Sequence, residues 1–216
     1  MSQNQKGFTL IEVIITLAVF TIGIVASFSL AIANLNSARD NFDRVSATNL
    51  AREGIELIRN TRDSNWLRAD NNIICGTPPA DYICNWDENL KSDFVYMDYT
   101  DITPITYGSC TLGSTMATCM GNCEADGSCE LFINATNYHV HDPTGASATG
   151  MYRLIEINGI CQNDSTGVEN IIEGSMACNP LLETRVGIQV TSRVDWDSGS
   201  NEKHVDIVET FYNWRI

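Results

Sequence analysis

Basic residues are scarce: 13 Lys and Arg stand against 27 Asp and Glu, for a net charge of −14. That balance argues against a whole domain acting as a nucleic-acid binder, which needs a basic face, and no local run of basic residues is visible, so no nucleic-acid partner is expected. Proline is absent before Pro78 and cysteine before Cys75. The first third of the chain therefore holds no residue that breaks a helix by lacking an N–H, and none that could crosslink it. Also missing are a G-x-S-x-G elbow, an H-E-x-x-H pair, a phosphate loop and a papain-like cysteine context. With no convergent nucleophile, base and orienter in view, an enzyme is not expected. Internal repeats and low-complexity tracts are absent too.

What the chain does have is an unbroken apolar run over residues 8–33, whose one charge is Glu12. About 20 apolar residues suffice for a helix to cross a bilayer, and this run is long enough. Residues 1–7 are polar, and Lys6 beside the run favours a cytoplasmic N-terminus. A secretory signal would place a small-residue cleavage site after a shorter apolar core. Here the small-residue junction, Gly7-Phe8, lies before it, so cutting there would leave the helix on the mature chain. Glu12 is the oddity, because a carboxylate in a spanning helix costs about 2.5–3.5 kcal/mol on insertion scales and normally has a partner and a task. Snorkelling to the headgroups is the plain alternative. If the chain is cut after Gly7, the free amine of Phe8 is a cation near neutral pH. It could pair with Glu12 within one helix or between staggered helices.

The order Lys6-Gly7-Phe8-Thr9-Leu10-Ile11-Glu12-Val13, a polar leader followed by an apolar helix with an acid at its fifth position, resembles the prepilin family of type IV pilins and pseudopilins. The resemblance implies a prepilin peptidase that cuts after Gly7 and N-methylates Phe8, with Glu12 guiding assembly. It further implies other pilin subunits as partners through the N-terminal helix, and an inner-membrane assembly platform. Such a protein is a single-pass membrane protein first and part of an extracellular pilus or periplasmic pseudopilus afterwards. Major pilin, minor pilin and type II secretion pseudopilin share this start. A tip adhesin on a pilus, or a membrane-anchored extracytoplasmic enzyme that never polymerises, are the rival readings.

Eight cysteines, Cys75, Cys84, Cys110, Cys119, Cys123, Cys129, Cys161 and Cys178, all lie beyond the apolar helix. An even set there reads as disulfides in an oxidising compartment. Eight cysteines allow 105 pairings; sequence proximity favours Cys75–Cys84 and Cys161–Cys178. Cys110, Cys119, Cys123 and Cys129 lie close enough for zinc, but no C-x2-C pair is present and disulfides are preferred.

Past residue 33 the helical pattern turns amphipathic. Leu35, Ala38, Phe42, Val45, Ala51, Ile55 and Ile58 recur at helical steps, which predicts one helix over residues 8–62 with its exit at residues 63–65. Gly54 in this half suggests close packing. Residues 66–179 are turn-rich, with strands expected at 93–99, 130–134 and 151–158. The clearest β signal is two alternating runs, 185–196 and 203–214, around the turn 197–201, which predict a hairpin. The expected fold is α+β: a long N-terminal helix, apolar then amphipathic, packed on an antiparallel β-sheet head with a disulfide-rich loop insert. Its divisions are a leader at 1–7, a membrane or filament-core helix at 8–33, the amphipathic half at 34–62 and the head at 63–216.

Two further patterns have dull explanations that are preferred. His139 and His141 would share a face of an extended segment, as a metal pair requires, but no third ligand is evident. Residues 195–202, with Asp195, Asp197 and Glu202, offer alternating oxygens at a turn, somewhat like a calcium loop, without the full D-x-[DN]-x-[DN]-G spacing or the bidentate Glu at position 12. No cofactor is expected beyond that weak calcium candidate. The sequons at Asn134 and Asn163 count as loop markers.

Overall fold

The computed structural model describes residues 9–71, 73–74, 85–90, 93–110, 113–172, 177–198 and 201–213. The chain divides into two units, one ending at Asp43 and the other beginning at Arg44. Helix α1, Leu10–Asp70, contributes residues to both. In the first unit its large apolar side chains are exposed, from Leu10 at 79% to Phe42 at 72%.

The second unit is α+β. In chain order, the last turns of α1 are followed by β1 (Asp93–Tyr96), β2 (Ile105–Thr106) and helix α2 (Met116–Asp126). Then come β3 (Glu130–Ile133), β4 (His139–Val140), β5 (Ser147–Asn163), β6 (Glu169–Ile172), β7 (Glu183–Ser198) and β8 (Asn201–Tyr212). The pairings among these eight strands are antiparallel. Strand β5 is the centre: β3, β1 and β6 pair along one edge, and β7 lies along the other with β8 outside it. The predicted hairpin is present as β7 and β8, and the strand expected at 151–158 is the middle of a longer β5.

Alternation divides the sheet's two faces. Met151, Ile155, Ile157, Ile188, Val190, Val194, Trp196 and Phe211 pack with Ala47, Leu50, Ala51, Ile55 and Ile58 of α1. On the opposite face Phe94, Tyr107 and Leu154 pack with Cys119, Met120, Cys123 and Cys129 around α2. This second small core was not foreseen, because residues 66–179 read as irregular. Its local signals are nonetheless present. Thr115 Oγ1 accepts the Thr118 N–H at the N-terminus, and Gly127 closes the C-terminus at φ 73° with its N–H on Glu124 O. Met116, Cys119, Met120 and Cys123 also fall at helical steps.

Disulfides fasten this insert. Cys110–Cys119 and Cys123–Cys129 tie each half of α2 to the chain beside it, and Cys161–Cys178 ties β5 to the segment before β7. The four clustered cysteines are thus two bridges, not a zinc set. Cys75 and Cys84 lie outside the described residues.

Two expectations about α1 are corrected. The helix does not leave at residues 63–65 but runs to Asp70. Asn65 is buried there and its Nδ2 donates to Trp86 O at 3.3 Å and Glu88 O at 2.7 Å, so tertiary bonds hold the last turns. The buried stripe is also shorter at its start: Leu35, Phe42 and Val45 are 60% exposed or more. It consists of Ala47, Leu50, Ala51, Gly54, Ile55, Ile58, Thr61 and Asn65, the stretch for which the sheet supplies facing side chains.

Gly54 is where helix and sheet come closest. A Cβ there would lie 2.5 Å from Ser192 Oγ, 3.2 Å from Ile155 Cδ1 and 3.3 Å from Arg153 Cδ. The bare helix surface admits Arg153, a fully buried residue of β5. Its guanidinium donates to Leu50 O at 3.2 Å, Glu53 Oε1 at 3.2 Å and Met97 O at 2.7 Å. A buried cation needs such partners.

Candidate functional site

The motif-bearing end of the chain is the first candidate. Gly7 and Phe8 lie outside the described residues. Thr9 precedes α1, and its carbonyl accepts the N–H groups of Glu12 at 3.0 Å and Val13 at 3.3 Å. Glu12 therefore sits in the first turn, where the exposed N–H groups and the helix dipole favour an anion. From Leu10 to Ala33 every described side chain is exposed, and Glu12 is the single charge. The hydroxyls of this stretch are satisfied within the helix: Thr16 donates to Val13 O, Thr21 to Ala18 O, Ser27 to Gly23 O and Ser29 to Val25 O, at 2.8–3.0 Å. That internal satisfaction is what a helix needs in a medium without water. The helix also runs unbroken through Gly23, Ser27 and Ser29. It is long and apolar enough to cross a membrane.

The hairpin end of the head holds the second candidate, an acidic corner. Glu124 from α2, Asp195 from β7 and Glu202 from β8 bring carboxylate oxygens within 4.8 Å of one another. Asp195 is fully buried, and Arg193 donates to both of its oxygens, Nε to Oδ1 at 2.7 Å and Nη2 to Oδ2 at 3.1 Å. Burial, with the carboxylates of Asp195, Glu202 and Asp197 added, pushes Glu124 up to about 7. Burial likewise raises Asp195, against the pull of Arg193. Glu202 belongs to the same stretch as Asp195 and Asp197, whereas Glu124, on a separate helix, was not foreseen here. Asp197 is exposed.

The histidine pair is split. His139 lies in β4, and burial holds it below its ordinary range. His141 has a buried side chain whose Nδ1 meets Asp98 Oδ1, while its backbone N–H donates to Asp98 Oδ2 at 2.9 Å. Burial pushes Asp98 up, but its bonds to His141 and the charges of His141 and Arg153 outweigh this and hold the carboxyl low. Among the described residues no His, Cys, Asp or Glu completes a metal-sized group with the two imidazoles. The sequon asparagines Asn134 and Asn163 each close a turn, with Oδ1 accepting N–H groups two to four residues on.

No curated protein and no solved structure matches the chain. One family model does, the prokaryotic N-terminal methylation motif, over residues 2–28. That span contains the Gly7-Phe8 junction, Glu12 and most of the exposed apolar half of α1. The chain therefore carries at its N-terminus the signature of type IV pilins and pseudopilins.

Proposed function

We propose that the protein is a structural subunit of a type IV pilus or related pseudopilus, processed after Gly7, N-methylated at Phe8 and assembled through its apolar N-terminal helix. The observation that carries this reading is a lone acid, Glu12, in the first turn of a helix that bears no other charge from Leu10 to Ala33 and exposes its apolar side chains there. Such a helix needs an apolar surround, first lipid and then other helices. An acid inside that surround needs a cation. The amine freed at Phe8 of a neighbouring subunit is a suitable one. The partners are then the prepilin peptidase, the assembly platform and further pilin subunits, and the head has a structural task, not a catalytic one.

The test is the intact mass and N-terminal peptide of the protein from sheared surface material, with and without reduction. The expected chain begins at N-methyl-Phe8 and gains eight protons on reduction. A chain that keeps residues 1–7 and stays in the membrane would defeat the proposal. Calcium at Asp195 and Asp197 enters only in competition with Arg193, which already occupies both Asp195 oxygens. Added calcium should then raise the melting temperature of the wild type and leave Glu202→Gln unmoved; no response in either removes calcium from the reading.

A further inference from the structure

The head contains a polar groove of about 190 Å³ between the last turns of α1 and the segment leaving β1. We propose that it binds a saccharide bearing a carboxylate. Along the helix wall, Asn60, Ser64 and Arg68 follow one another at steps of four and so share a face. Ser64 Oγ donates to Asn60 Oδ1 at 3.3 Å. Opposite stand Tyr99, Asp101 and Ile102.

Tyr99 supplies a platform. Its ring is 45% exposed and packs on the ring of Tyr138, 54% exposed, with centroids 4.6 Å apart and planes at 32°. Neither ring belongs to a core cluster, and the second holds the first in place. An exposed aromatic face of this kind suits the apolar C–H face of a sugar, leaving the hydroxyls to the polar walls.

The walls are fixed and still have bonding capacity. Thr61 and Asn65, deeper in the groove, are buried and bonded to Leu57 O and to Trp86 O and Glu88 O, so the helix wall is anchored. Asp101 Oδ2 accepts the Asp98 N–H at 2.7 Å, while Oδ1 has no protein partner among the described residues. Asp101 is thus an oriented acceptor for hydroxyls. Asn60 offers both a donor and an acceptor, and Tyr99 a hydroxyl.

Arg68 selects the acid. Its guanidinium makes no hydrogen bond or ion pair among the described residues, in a protein of net charge −14. Its place in the last turn of α1 suits the helix dipole. The dipole does not account for the amide, hydroxyl, carboxylate and ring gathered beside it. A guanidinium that binds a carboxylate in its planar fork does.

The experiment is saturation-transfer NMR on the full chain in phosphatidylcholine nanodiscs, with methyl glucuronide and methyl glucoside as probes. Transfer to the glucuronide ring protons is expected to exceed that to the glucoside. Tyr99→Ala and Asn60→Ala, both at exposed positions, should each lower it at least fivefold with the melting temperature unchanged. Arg68→Gln should bring glucuronide down to the glucoside level. Absence of transfer to both sugars, or transfer indifferent to all three variants, would overturn the proposal. Equal transfer to both sugars in the wild type would overturn its acidic part. None of these outcomes bears on leader processing, so the filament reading stands or falls separately.

Discussion

Gly54→Ala sets two known effects against each other, and its sign reports how tightly α1 is seated on the sheet. In an isolated helix the substitution gains about 1 kcal/mol of propensity. In this one the new Cβ would lie 2.5 Å from Ser192 Oγ, a separation that cannot persist, and within 3.2–3.3 Å of Ile155 and Arg153. Ser192 is fully buried and can yield only by turning about χ1. Arg153 can yield only by loosening its bonds to Leu50 O and Met97 O. Overpacking of this kind costs about 1–3 kcal/mol. The close contacts put this case towards the upper end, for a net loss of about 1–2 kcal/mol. With about 2–4 °C per kcal/mol for a chain of this size, the melting temperature should fall by about 2–8 °C. Thermal unfolding of the full chain in detergent, followed by tryptophan fluorescence, measures it. In a Ser192→Gly background the nearest clash is gone and the cost should shrink, so the double-mutant cycle should show coupling. A rise in melting temperature on Gly54→Ala, or an equal cost in both backgrounds, would refute this account of the helix–sheet contact.

Arg153→Ala should cost about 3 kcal/mol or more, because it leaves Glu53 and two carbonyls without their buried donor; denaturant unfolding measures the loss. Cys161→Ser with Cys178→Ser opens a bridge spanning 17 residues and should cost about 3 kcal/mol, read as a lower urea midpoint. The acidic corner predicts a pH dependence. Glu124 has a folded value of about 7 against an ordinary 4.5, so the folded protein binds more protons between those limits. Its contribution is fully present below pH 4.5 and is lost as pH rises through 7. In a buffer free of divalent cations, melting temperature should fall across that window and then level off. Glu124→Gln should flatten the profile, and an equally steep one in the variant would count against the corner.

The long helix and the C-terminal hairpin were legible because their signals are periodic and repeated over many residues. Val186, Ile188, Val190, Val194 and Trp196 share a parity that only an extended strand with one buried face explains. The length of α1 was less legible, since Asn65 looks like an exit in sequence and becomes a buried hydrogen-bond donor only through Trp86 and Glu88. Helix α2 was obscured by its cysteines, which drew the reading towards a loop held by disulfides. Two bridges do hold it, but they tie the middle of a capped helix to the chain on either side. The Asp195–Glu202 side of the acidic corner was visible as a stretch of alternating oxygens, but Glu124 and the polar groove were invisible for a different reason. Glu124, Asp195 and Glu202 lie on three elements, and Arg68 comes to line one groove with Asp101 only after β1 has paired with β5. Nothing in local sequence anticipates such meetings.

The N-terminal site is the opposite case, and its chemistry allows a sharp separation of roles. Thr16, Thr21, Ser27 and Ser29 all bond their own helix, so none of them calls for a partner elsewhere. Glu12 is different, because a carboxylate cannot be neutralised by the backbone carbonyls beside it. If its task is to meet a neighbour's amine, then charge matters first and reach second. Glu12→Gln keeps the length and the hydrogen-bonding capacity and removes only the charge. Glu12→Asp keeps the charge and shortens its reach. The expected outcome is membrane insertion and a correctly oxidised head in both, loss of surface filaments in Glu12→Gln, and partial filament yield in Glu12→Asp. Shearing and quantifying surface filaments, against membrane content of the same subunit, measures the split. Wild-type filament yield from Glu12→Gln would show that the carboxylate merely reaches the headgroups, and that the helix packs through its apolar surface alone.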